Sequence, residues 1–140
     1  MIAIFDREKE YIVFLEDTHR KWVTTSTWKA ANNTDSRSKG PWPPGVYEAH
    51  QLIRVTGHKA DRDGAYGPWF MAFRPFTDST TGLRRTGMGI HAGRENDADG
   101  RGRTGHQHAT MGCIRIEPPG MSLIVGRHLA GDDLEKMWVL

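Results

Sequence analysis

Apolar residues in this chain come in short runs whose spacing favours strands over helices. Ile2 to Phe5 is one such run, the polar Asp6 to Glu10 has turn composition, and Tyr11 to Leu15 is rich in β-formers, which together predict an opening hairpin. After a second turn over Glu16 to Arg20, Trp22, Thr24, Ser26 and Trp28 alternate with Val23, Thr25 and Thr27, the two-residue period of a third antiparallel strand over Lys21 to Trp28. The polar segment Ala30 to Gly45 closes with Pro41-Trp42-Pro43-Pro44-Gly45, a stiff turn leading into a strand over Val46 to Val55. Thr56 to Gly67 reads as a loop, Trp69 to Phe73 as a buried strand, Thr77 to Arg85 as a further loop, and Met88 to His91 as a short apolar run. Arg94 to Gly105 is Gly-rich and charged without hydrophobic periodicity, a surface loop of a length more often functional than idle. Pro118-Pro119 can open a helix at Pro119, with Met121, Leu123, Ile124 and Leu129 on its apolar side and an end near Gly131, and Leu134 to Leu140 can add a last strand. Residues 1–140 therefore read as one mainly β domain with a single helix, and with no repeat or linker.

Composition narrows the class. The 16 Gly and 7 Pro suit a turn-rich fold. The longest apolar runs are five residues, too short for a membrane span or for the core of a signal peptide. Met1 to Phe5 is followed at once by Asp6, Arg7 and Glu8, so the expectation is a protein made in the cytoplasm without a cleaved export signal. A net charge of +2 is too mild to imply a nucleic-acid partner. Charge is instead concentrated: Arg84 to Arg115 holds six Arg and no Lys against Glu95, Asp97 and Asp99, a locally positive stretch suited to small anionic ligands such as carboxylates.

The single cysteine, Cys113, excludes an internal disulfide. It sits in Thr110-Met111-Gly112-Cys113-Ile114-Arg115, where the preceding glycine permits a sharp turn that frees neighbouring N–H groups to face a ligand. A thiol acts as a nucleophile when a nearby imidazole takes its proton, and His91 is the candidate partner. Arg115 is placed to hold a substrate carboxylate by a bidentate pair. A different use of the same residue types is a zinc site of His91, His106, His108 and Cys113, although their spacing matches no standard zinc motif.

Gly89-Ile90-His91-Ala92-Gly93, followed by a Gly-rich loop and then Thr110-Met111-Gly112-Cys113-Ile114-Arg115, closely resembles the signature of the L,D-transpeptidase catalytic domain, the YkuD-like family. Gly40-Pro41-Trp42-Pro43-Pro44-Gly45-Val46-Tyr47 and Pro68-Trp69-Phe70-Met71-Ala72-Phe73 resemble that family's Pro-Gly turn and its aromatic strand, so the likeness spans nearly the whole chain. The resemblance implies a mainly β, single-domain fold of curved mixed sheets with one or two short helices. It also implies cysteine acyl transfer on the stem peptides of bacterial peptidoglycan, with no metal or organic cofactor. On this likeness Cys113 is the nucleophile, His91 the base, the N–H groups of Met111, Gly112 and Cys113 the oxyanion hole, and Arg115, Thr110 and Trp69 the substrate contacts. Three features depart from the pattern. Met111 stands where the family usually has a second histidine, the 18 residues between His91 and Thr110 exceed the common gap, and neither a signal peptide nor a wall-binding module is present. The last point favours the same site used as an L,D-carboxypeptidase or D-amino-acid exchange toxin delivered by a secretion system, with a delivery or immunity protein as partner, or as a phage lysis enzyme. In either use the place of action is the periplasm or cell wall.

Overall fold

The computed structural model describes residues 1–18 and 21–140. Its strands are β1 (Ile2–Asp6), β2 (Tyr11–Thr18), β3 (Lys21–Ala31), β4 (Gly45–Arg54), β5 (Trp69–Phe73), β6 (Phe76–Thr77), β7 (Arg84–Arg85), β8 (Gly89–His91), β9 (Ile114–Ile116) and β10 (Lys136–Val139), with one α-helix, α1 (Pro118–Leu129). Eight of the strands close into a barrel in the order β1-β10-β4-β5-β8-β9-β3-β2, while β6 and β7 form a separate ribbon. The pairs β1–β10 and β8–β9 are parallel and the rest antiparallel, so the curved sheet is mixed, and closure leaves it no free edge.

Strand alternation fills the barrel. Ala3 lies opposite Phe14 and Met137, and Phe5 opposite Ile12 and Val139, all of them buried. On the far side Met71, Ile90 and Ile114 sit level across β5, β8 and β9 and face the same core. The rigid Pro41-to-Gly45 turn delivers Trp42 into this core as a plug, with ring centroids 5.5 Å from Tyr47, 5.3 Å from Phe73 and 5.7 Å from Phe76.

Several boundaries differ from the sequence reading, each for a tertiary reason. β3 runs on to Ala31 because Ala30 and Ala31 pair with Ile116 and Arg115 of β9, a partner more than eighty residues away. The strand Ile114–Ile116 itself is too short to show a period. The loop expected over Thr77 to Arg85 carries the β6–β7 pairing at its two ends. Glu16 to Thr18, expected in a turn, continue β2, and His19 and Arg20 of that turn lie outside the described residues. Among the described residues no helix is long and apolar enough to cross a membrane.

Candidate active site

Register places the candidate side chains on one surface. Phe70 of β5 pairs with His91 of β8, which pairs with Arg115 of β9, and Cys113 lies two residues before Arg115. Because successive side chains alternate, Phe70, His91, Cys113 and Arg115 project from the outer face while their neighbours Met71, Ile90 and Ile114 fill the core. His91 and Cys113 both line a cleft of about 1070 Å³, walled by loops around Thr34 to Lys39, Lys59 to Tyr66, Arg85 to Met88 and Arg94 to Met111.

The His91 ring is 2% exposed. It stacks on Phe70 at 5.7 Å, with Tyr66 set edge-on at 4.9 Å. Its Nδ1 lies 2.8 Å from the carbonyl of Ala92, an acceptor, so Nδ1 carries the proton and Nε2 keeps its lone pair. Burial first, and the nearby Arg115 charge second, push the imidazole pKa down to about 3, which keeps the ring neutral at every ordinary pH and leaves Nε2 unprotonated but only weakly basic.

Cys113 is held at the mouth of β9 by a clamp around the preceding turn. Asn32 Nδ2 donates to the carbonyls of Gly112 and Cys113, each at 2.9 Å, while Asn32 Oδ1 accepts from the Trp42 N–H at 2.5 Å, tying the turn to the core plug. Thr110 Oγ1 donates to the Cys113 carbonyl at 2.6 Å and accepts from the Gly112 N–H at 3.1 Å. Gly112 has φ +140°, and a Cβ there would come within 2.8 Å of Arg85 Nη2, so both backbone and space require glycine. The thiol donates to the Gly87 carbonyl at 3.5 Å rather than to His91.

Burial pushes the Cys113 thiol up to about 11, against the opposing pull of the Gly89 N–H and the Arg115 and Arg85 charges. Thiol and imidazole, both on the cleft, are therefore both neutral at rest. Alkylation of Cys113 by iodoacetamide should accordingly rise close to tenfold per pH unit between pH 7 and 9.5. A flat profile across that range would mean that a thiolate–imidazolium pair is already formed.

Five expectations need correction. Arg115 is 3% exposed and its guanidinium is committed to the protein's own backbone: Nε donates to Ala92 O (3.0 Å), Nη1 to His108 O (2.9 Å) and Ala109 O (3.3 Å), and Nη2 to Ala65 O (2.9 Å). No bidentate fork remains for a substrate carboxylate; the residue joins three walls of the cleft and supplies charge. Thr110 is buried with its hydroxyl spent on the Gly112–Cys113 turn, so it positions rather than binds. Trp69 alternates with Phe70, faces away from the cleft, and packs against the core with the Arg54 guanidinium 5.5 Å from its ring. The proposed zinc set is not assembled: His106 is absent from the cleft lining, and among the described residues no three His, Cys, Asp or Glu side chains converge on a metal-sized position. The Gly112 N–H, expected in an oxyanion hole, is taken by Thr110, whereas among the described residues the N–H groups of Met111 and Cys113 have no protein acceptor.

Sequence reading missed Asn32, Tyr66, Arg85 and Asp99. Asn32 and Tyr66 sit in polar or loop segments with no local signal, and their roles come from contacts with residues 80 and 25 positions away. Arg85 forms a buried ion pair with Asp78 (3.0 Å) and donates to Gly40 O (2.7 Å) directly behind Gly112. Asp99 shapes the enlarged loop: its carboxylate accepts from the N–H groups of Arg101, Arg103 and Ala109 and from Arg103 Nε. These backbone and side-chain donors outweigh burial and hold its pKa well below the usual carboxylate range.

No family model and no curated protein matches the sequence. Solved structures do. Bd1075 of Bdellovibrio bacteriovorus superposes with a TM-score of 0.63 at 14% identity, over 99% of this chain and 46% of that one. A cysteine-to-serine variant of the Enterococcus faecium L,D-transpeptidase superposes with a TM-score of 0.54 at 16% identity, over 99% of this chain and 49% of that one. The chain thus has the fold of the L,D-transpeptidases, mainly β with one helix, and spans about half the length of the structures it matches. Exposed Met111 and Asp99 of the charged loop both line the cleft.

Proposed function

We propose that the chain is a peptidoglycan-acting cysteine acyltransferase of the L,D-transpeptidase type. The observation that carries this reading is the juxtaposition of a neutral, buried His91 with the only cysteine on one outer face of β8 and β9, opening into the cleft. In the mechanism it supports, Cys113 leaves Gly87, gives its proton to His91 Nε2, and attacks the carbonyl on the L-centred side of a diaminopimelate to D-alanine bond. The N–H groups of Met111 and Cys113 receive the negative charge that develops on oxygen. Collapse forms a thioester at Cys113 and expels D-alanine, whose amine takes the proton back from His91. An acceptor amine, or water, then attacks the thioester, loses its proton to His91, and returns the thiol. Arg115 acts through position and field: it holds the walls together and its charge favours the thiolate over the thiol.

The test is mass spectrometry of the protein after brief incubation with tetrapeptide stems, alongside assay of free D-alanine. A mass increase confined to the Cys113 peptide, with equimolar D-alanine in the first turnover, is expected. Absence of both from folded protein overturns the reading. The product separates the acceptors: a tripeptide means hydrolysis, a new amide means transfer. The place of action on this reading is the cell wall, where such stems are found.

A further inference from the structure

Among the described residues eight cationic side chains line the cleft against two carboxylates, Asp35 and Asp99, and the uses of those cations differ sharply. Both carboxylates are already occupied: Asp35 pairs with Arg37 at 2.8 Å and Asp99 with Arg103 at 2.8 Å. Arg94 is paired with Asp97, and Arg85 with Asp78. Arg115 is satisfied by carbonyls, which use its N–H groups without cancelling its charge, and among the described residues no carboxylate lies within ion-pair distance of this buried cation. Lys59 lies over the Tyr66 ring. Lys39 and Arg101 remain: both are exposed, both line the cleft, and among the described residues neither side chain has an acidic partner.

Resting on the acyltransferase reading above, we infer that this cleft selects a polyanionic acyl donor, a stem peptide whose carboxylates are free rather than amidated, and that Lys39 and Arg101 are the side chains that contact them. The physical reason is a division of labour. The buried Arg115 charge attracts an anion into the cleft but has no pair of N–H groups to offer it, whereas the rim cations have free donors and can reorganise around a ligand. A neutral stem would leave that charge unanswered, and it would have nothing to give the rim.

The experiment measures binding without turnover. The Cys113→Ala variant is titrated, by calorimetry at low and at physiological salt, with a tetrapeptide stem bearing free carboxylates and with the same peptide bearing carboxamides. The free acid should bind at least tenfold more tightly, with the difference shrinking as salt rises. Adding Lys39→Gln and Arg101→Gln should reduce the ratio below threefold while the melting temperature stays put, since both side chains are exposed. Equal binding of the two peptides, or a preference that survives the double substitution, overturns the inference and leaves the reading of Cys113 untouched. Failure of both peptides to bind also overturns it, and release of D-alanine by the unsubstituted protein then decides separately whether the acyltransferase reading falls too.

Discussion

Replacing His91 by glutamine is expected to lower kcat for stem-peptide turnover by about 10²- to 10⁴-fold, the usual contribution of a positioned proton acceptor. Glutamine keeps a polar group able to bond to the Ala92 carbonyl and fills part of the slot between Phe70 and Tyr66, so folding should be preserved. What is lost is the Nε2 lone pair. KM should change little, because the ring is buried and offers substrate little surface. The pH profile adds a second readout. Since burial and Arg115 hold the imidazole pKa near 3, kcat/KM of the unsubstituted protein should show no acid limb around the ordinary histidine value of 6.5. If His106→Ala or His108→Ala cripples the protein while His91→Gln is mild, the proton acceptor has been misassigned; His108 also lies on the cleft and, like His91, bonds a backbone carbonyl through Nδ1, that of Ala109.

Replacing Arg115 by methionine should instead strike the fold. Methionine approximates the volume but abandons the carbonyls of Ala65, Ala92, His108 and Ala109, which come from three separate segments. Leaving one buried and three part-buried acceptors unpaired, at roughly 1 kcal/mol each or somewhat more, gives a loss on the order of 3–5 kcal/mol. For a domain of this size that corresponds to a fall in Tm of about 10–17 °C, visible by calorimetry or circular dichroism. Arg115→Lys should recover only part of it, because one ammonium cannot span three walls. A substrate-binding arginine behaves differently: its loss raises KM and leaves Tm alone. A variant with unchanged Tm and a raised KM would restore Arg115 to the role that the sequence suggested.

The contrast between these two residues shows where sequence reading stops. Gly-Ile-His and Gly-Cys-Ile-Arg mark a chemistry because each residue type has a narrow set of uses, and local order along the chain carries that information. The same order cannot say where a guanidinium points. Arg115 looks like a ligand-binding arginine until the carbonyl of Ala65, fifty residues earlier, is seen to take one of its N–H groups. Trp69 looks like a platform for substrate until the pairing of Phe70 with His91 assigns Trp69 to the opposite face.

From the sequence alone came the strand-rich character, the hairpin at the start, the helix opened by Pro118-Pro119, and Cys113 and His91 as the residues to examine, because two-residue alternation, proline and glycine chemistry and rare reactive side chains are all local properties. The tertiary structure decided the rest. Barrel closure set β8 parallel to β9 and so put His91 and Cys113 on one face. Long-range hydrogen bonds spent Arg115 on the scaffold and brought in Asn32 and Arg85 behind the turn, within which Thr110 and Gly112 bond each other. A buried polar group must take whichever partner the fold brings within reach, and that partner is rarely near it in sequence.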